Sequence, residues 1–125
     1  MSDGSKPKIL IADDTVAIAD VFKMKLETSG FSAAVAKDGN EVLKVLETET
    51  FDLILLDLMM PNLDGFGVLE AMQKKGIKIP VIVTSNLGQP EDVERVKRLG
   101  AVDYFLKADV PLSEMVERIK KILKV

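Results

Sequence analysis

Residues 51–65 read FDLILLDLMMPNLDG, and within them Leu53, Ile54, Leu55, Leu56 and Asp57 carry the most information in the chain. The apolar run is unbroken instead of alternating, which predicts a strand buried on both faces. Such a strand belongs in the middle of a parallel sheet, and in open α/β sheets ligands bind at the carboxyl ends of the strands. Asp57 sits at that end. Pro61 and Asp64-Gly65 punctuate a turn directly behind it. A carboxylate so placed is open to solvent chemistry yet anchored on the most rigid element available. Alone, it also reads as an ordinary turn-starting aspartate. Its meaning depends on what else converges on the same edge.

On the N-terminal side, residues 9–12 (ILIA) predict a short strand ending in Asp13-Asp14. A helix follows over residues 15–29, with Ile18, Val21, Phe22 and Leu26 on one face and Gly30 as its stop. Residues 32–36 predict a second strand. Asp38-Gly39-Asn40 is a turn whose Asn40 can cap the next helix, in which Val42, Leu43, Val45 and Leu46 form the buried stripe.

On the C-terminal side, a third helix turns Phe66, Leu69 and Met72 inward and ends near Gly76. Residues 79–84, IPVIVT, predict a strand that tolerates Pro80 near its start. After a loop at 85–89, Pro90 opens a fourth helix, 91–99. Val93, Val96 and Leu99 point to the core, while Glu91, Asp92, Glu94, Arg95, Lys97 and Arg98 face out. Residues 102–106 predict the fifth strand, which runs into Lys107. Leu112, Met115, Val116, Ile119, Ile122 and Leu123 then mark the last helix. Residues 1–7, MSDGSKP, read as a loose tail.

Strands alternating with helices at this spacing imply right-handed crossovers and a parallel sheet covered on both faces. Several strand orders satisfy the pattern. The flavodoxin-like order 2-1-3-4-5 is one of the two common ones, and it would set Asp13 and Asp14 beside Asp57.

The 125 residues suit a single domain, and with 47% hydrophobic content they predict a real core. A net charge of −3 argues against a nucleic-acid-binding surface. The chain has no Cys and no His, so thiol chemistry, thiolate metal sites and the commonest general base are all excluded. Chemistry must run on carboxylates, hydroxyls, Lys and a hard metal. With no signal peptide or membrane span legible, a soluble cytoplasmic protein is the default.

Four strand ends carry polar groups: Asp13 and Asp14, Asp57, Thr84, and Lys107. Taken singly, Asp14 reads as a helix cap, Thr84 as a β-branched strand residue and Lys107 as a solvated amine. Jointly they read differently. Carboxylates about 4 Å apart repel by on the order of 4 kcal/mol per pair at a surface-like dielectric, so three of them together require a counter-ion. An oxygen-only ligand set selects Mg²⁺ or a similar hard cation. A carboxylate flanked by such a cation, a hydroxyl and an ammonium is equipped to accept a phosphoryl group, with Asp57 as nucleophile and Thr84 and Lys107 on the phosphoryl oxygens.

On these motifs the chain resembles the receiver domain of two-component response regulators, from Lys8 to about Leu123. The resemblance implies a flavodoxin-like (βα)5 three-layer fold with strand order 2-1-3-4-5. It makes Asp57 the phosphoacceptor, supplied by a histidine kinase or phosphotransfer protein. It also implies Mg²⁺ held by Asp13, Asp14, Asp57 and the backbone carbonyl of Met59. Tyr104 matches the family's switch aromatic, acting with Thr84. The fourth helix, fifth strand and fifth helix would form the output face toward a downstream protein or domain, with a phosphorylation-dependent dimer as one use of its mixed charges. A signalling domain is implied, not an enzyme in its own right.

The alternatives are an aspartyl-phosphate hydrolase, for which no general acid or substrate cap is visible, and a receiver-like interaction module that is never phosphorylated. No DNA-binding or catalytic motif is legible, so a stand-alone messenger and a piece of a longer regulator both stay open. The sequence departs from the family where Ala108 follows Lys107 in place of the usual cis proline. A non-proline cis bond costs about 2.5–4 kcal/mol, so a trans bond and a different path over residues 108–111 are expected.

Overall fold

The computed structural model describes residues 6–86, 88–108 and 110–125. The chain alternates strictly: β1 (Lys8–Ala12), α1 (Val16–Thr28), β2 (Ser32–Ala36), α2 (Gly39–Thr48), β3 (Leu53–Asp57), α3 (Gly65–Lys75), β4 (Val81–Ser85), α4 (Pro90–Arg98), β5 (Asp103–Leu106) and α5 (Leu112–Leu123). All strand pairs are parallel, in the order β2-β1-β3-β4-β5. This is the flavodoxin-like arrangement.

β3 lies between β1 and β4, and all five of its residues are buried. Its alternating side chains feed two cores. Ile54 and Leu56 pack with Val42, Val68, Leu69, Met72 and Val96, from α2, α3 and α4. Leu53 and Leu55 pack with Phe22, Leu26, Met115 and Ile119, from α1 and α5. An uninterrupted apolar strand is what a sheet covered on both faces demands.

Several boundaries differ from the sequence reading. β4 begins at Val81, not residue 79, because Pro80 has no N–H to give the ladder. β4 also extends through Ser85, whose carbonyl accepts from Lys107 N at 2.9 Å. β5 begins at Asp103, leaving Val102 53% exposed. In α1 the buried stripe is Ala19, Phe22 and Leu26, while Val21 turns toward solvent. A step of 100° per residue carries position 21 off the face shared by 19, 22 and 26.

Asp38, not Asn40, caps α2, with its carboxylate accepting from Glu41 N at 2.9 Å. Glu41 also reaches back, accepting from the N–H of Lys37, the residue before the cap, at 2.9 Å. Only Val42 of the expected α2 stripe is fully buried, since this helix covers the β2 edge of the sheet. In α3 the stripe includes Val68, and Phe66 is only half-buried. The tail expected through residue 7 is shorter on the described side: the Pro7 carbonyl accepts from Ser32 N at 2.9 Å. Residues 1–5 of that tail lie outside the described residues. None of the described peptide bonds is cis, so Lys107–Ala108 is trans.

Candidate functional site

The crossover order brings the carboxyl ends of β1, β3, β4 and β5 to one edge, and with them every polar group singled out above. β1 delivers Asp13, whose backbone N–H donates to the Ala36 carbonyl at 3.0 Å as the ladder with β2 runs on. Asp13 Oδ1 accepts from Thr15 N at 2.9 Å, which turns the chain into α1. Asp14 therefore does not cap that helix. The N-cap is Thr15, which makes no side-chain cap bond.

β3 delivers Asp57, which lies opposite Thr84 in the register with β4. Its Oδ1 accepts from Met59 N at 3.3 Å. Gly65, at the start of α3, packs directly behind this strand end. A Cβ there would fall 2.7 Å from the Asp57 carbonyl oxygen and 2.8 Å from Leu58 Cα, both backbone atoms. Only glycine lets α3 approach so closely, which gives the Asp64-Gly65 pair a packing role as well as a turn role.

Lys107 reaches across the edge. Its Nζ lies 2.6 Å from Asp13 Oδ2 and 3.4 Å from Asp57 Oδ2. With its side chain only 8% exposed, it is not the solvated amine that a lone lysine suggests. Asp13 and Asp57 are themselves 2% and 5% exposed. Burial is the main force on the Asp57 carboxyl and pushes it above the usual carboxylate range; the Lys107 ammonium opposes this, and the Asp13 charge adds to it. Two buried carboxylates thus share one ammonium, leaving the site net negative before the exposed Asp14 is counted.

Carboxylate oxygens from Asp13, Asp14 and Asp57 all lie within 4.8 Å of one another. The donors are all oxygen and the local charge is uncompensated, so the residues present suit a hard divalent cation. Thr84 is buried at the end of β4, 1% exposed, and its carbonyl accepts from Leu58 N at 3.2 Å. Met59 presents its side chain to solvent, 65% exposed. An apolar cleft of about 380 Å³, lined by Ala17, Ile18, Val21, Phe22, Asn86, Lys107 and Ala108, adjoins the lysine.

Tyr104 stands apart from this cluster. It sits half-buried on β5, packed against the core under α2, α3 and α4. The sequence reading missed Arg118 of α5, which fixes that edge strand. Its guanidinium donates to the Tyr104 carbonyl at 3.2 Å and to Asp103 at 3.3 Å, while Glu114 accepts from it at 2.6 Å. The i,i+4 spacing of Glu114 and Arg118 was the available signal.

The chain is similar to known proteins in sequence and in fold. A family model described as the response regulator receiver domain matches residues 9–120. The probable transcriptional regulator ycf27 of Cyanophora paradoxa is 37% identical over 120 residues, covering 96% of this chain and 49% of that protein. The alkaline phosphatase synthesis transcriptional regulatory protein PhoP of Bacillus subtilis (strain 168) is 38% identical over 117 residues, covering 94% of this chain and 48% of that protein. The chain spans about half the length of these curated relatives. Among solved structures, the receiver domain of the Francisella response regulator 1452 matches with a TM-score of 0.89 at 37% identity, covering 94% of this chain and 97% of that one. No helix among the described residues is long and apolar enough to cross a membrane. With the fold, the acidic edge and the family match in agreement, the chain belongs to the response regulator receiver domains, the signalling domains of two-component systems.

Proposed function

We propose that this domain is a phosphorylation switch in which Asp57 accepts a phosphoryl group from a histidine kinase or phosphotransfer protein. The observation that carries the reading is the burial of Asp57 and Asp13 around one lysine at the carboxyl edge of the central strands. Such a site is costly to the folded chain and is justified by chemistry at that carboxylate. A carboxylate oxygen of Asp57 attacks phosphorus. The O–P bond forms as the N–P bond of the phosphohistidine breaks, and the released electron pair returns to the imidazole nitrogen.

Asp13, Asp14, Asp57 and the Met59 carbonyl would hold Mg²⁺. When bound, the ion neutralises charge between the carboxylates and the phosphoryl oxygens. Lys107 exchanges part of its contact with Asp13 and Asp57 for a phosphoryl oxygen, and the Thr84 hydroxyl donates to another. The donor protein approaches over the apolar cleft beside Lys107.

Movement of Thr84 toward the phosphoryl group leaves room for Tyr104 to turn inward, which changes the surface formed by α4, β5 and α5. That surface is the output face toward a downstream protein or domain. Because the curated relatives are transcriptional regulators of about twice this length, the output is a regulatory module of that class. The mixed charges of α4 suit a twofold pairing of phosphorylated copies. The chain acts as one receiver unit in the cytoplasm, as a signalling domain that assists its own phosphorylation and dephosphorylation.

The test combines labelling with a phosphoryl analogue. Intact mass after acetyl phosphate and Mg²⁺ should show one added phosphoryl group in the wild type and none in Asp57→Asn. Saturation with beryllofluoride and Mg²⁺ should change the emission of Tyr104, the single Tyr in a chain without Trp. Labelling that survives in Asp57→Asn would refute the assignment. Absence of both responses in the wild type would favour an interaction module that is never phosphorylated.

A further inference from the structure

The segment between β3 and α3 must leave Asp57, turn at Pro61 and return to Gly65. Its first part is held by the Met59 N–H on Asp57 Oδ1 and by Leu58 N on the Thr84 carbonyl. Its last part is held by Asp64, which caps α3 by accepting from Gly67 N at 2.9 Å, and by Gly65 N on the Leu58 carbonyl at 3.0 Å. The middle is tied to a different element altogether. Asn62 Nδ2 donates to Asp38 Oδ2 at 2.9 Å, and Gly39 N donates to the Leu63 carbonyl at 3.0 Å.

Asp38 therefore does two jobs with one carboxylate. Oδ1 caps α2 through Glu41 N, and Oδ2 grips the loop that carries Met59. The approach has no slack, because a Cβ on Gly39 would stand 2.4 Å from the Leu63 carbonyl oxygen and 2.8 Å from Val68 Cγ2. Asn62 takes φ 68°, the left-handed region that glycine occupies freely and asparagine tolerates. Glycine would satisfy that backbone; asparagine adds the amide that meets Asp38. Among the described residues, Met59 N and Lys107 are polar partners of the Asp57 carboxylate, and Asp38 and Asn62 are not.

We infer that Asp38 and Asn62 are a positioning pair, setting the path of residues 58–64 and so the place of the Met59 carbonyl in the cation's ligand set. The inference rests on the Mg²⁺ reading of the site given above. Groups that orient a ligand to a metal are felt in metal affinity even when they never touch the metal.

The experiment is Mg²⁺ titration of the unphosphorylated protein by calorimetry, with thermal unfolding of each variant recorded alongside. Asn62→Gly keeps the left-handed backbone and removes the amide. Asp38→Ser keeps a capping acceptor for Glu41 N but is too short to reach the Asn62 amide. The exchange variant, Asp38→Asn with Asn62→Asp, restores a donor–acceptor pair in the reverse order at unchanged net charge. Each single variant should weaken Mg²⁺ binding by about tenfold, the low end for outer-shell partners of metal ligands, and the exchange should recover most of the loss. Wild-type Mg²⁺ affinity in both single variants would overturn the pair. So would an exchange variant that stays as weak as the singles, since the loss would then come from general loosening. A wild-type protein that binds no Mg²⁺ would instead remove the cation reading, and this inference with it.

Discussion

The corner where β3 passes into α3 and the edge formed by α4 and β5 are built on opposite terms. β3 is paired on both sides, and all of its residues are buried. The loop behind it is tied to Thr84, Asp38 and Gly39, and Gly65 lets α3 press directly on its end. α4 fully buries only Val96. Polar contacts help hold it to α3: the Arg95 guanidinium sits 4.0 Å from the Phe66 ring centroid and 3.9 Å from a Glu70 oxygen, and Gln73 Nε2 donates to the Arg98 carbonyl at 3.4 Å. β5 is an edge strand whose Tyr104 is half-buried. The carboxylate proposed to accept a phosphoryl group needs its oxygens fixed, and Asp57 ends the strand whose residues are all buried. The surface proposed for readout must change at low free-energy cost, and in α4 only Val96 is fully buried.

The largest expected effect lies at the stiff corner. Lys107→Met leaves Asp13 and Asp57 buried without their shared cation, and loss of one partner from a buried ionic group costs about 3–5 kcal/mol. Urea unfolding in the absence of Mg²⁺ measures this, and added Mg²⁺ should recover part of the loss by replacing the missing positive charge. A change under about 1 kcal/mol, the scale of surface ion pairs, would show that the lysine behaves as a solvated amine.

Core truncations compare the two regions directly. Leu56→Ala in β3 should cost about 2–5 kcal/mol, the range for deleting a buried leucine side chain. Val96→Ala should cost about 1–2 kcal/mol, from the loss of two carbons and a smaller cavity. Native-state hydrogen exchange should show α4 amides opening at lower free energy than β3 amides. Equal protection in the two elements would erase the distinction.

Arg95→Ala should cost about 0.5–1 kcal/mol, as expected for an exposed cation–π contact. Its effect should be local, with faster exchange in α4 and none in β3. Acceleration in both would mean that the two regions open as one unit.

The smallest effect is electrostatic. Burial raises the Asp57 carboxyl above its ordinary range in the metal-free protein, so the folded chain holds that proton more tightly than the unfolded chain does. The stability this gives is fully present below the unfolded value and is lost as pH rises through the folded one. Asp57→Asn should flatten that slope and raise the neutral-pH Tm by a few degrees. An unchanged Tm–pH profile in the variant would place the slope elsewhere.

Much of this architecture was legible in the chain because it is local. An unbroken LILLD segment reads as a doubly covered strand from its own side chains, and carboxylates directly after apolar runs must emerge at strand ends. Period and punctuation likewise located every helix to within a few residues. What the sequence left open was decided by packing between elements distant along the chain. A modest turn about the helix axis, which keeps Phe22 and Leu26 inward, made Ala19 the buried residue of α1 in place of Val21, because the helix settles against the sheet as a body. Asp38 took the cap expected of Asn40, since α2 begins where Gly39 meets the Leu63 carbonyl. The contact between Asp13 and Lys107 joins residues 94 positions apart. It exists only because the crossovers lay β1, β3, β4 and β5 side by side in that order, an outcome no local period encodes. The sequence by itself determined which groups reach the edge of the sheet; tertiary structure alone decided which of them touch.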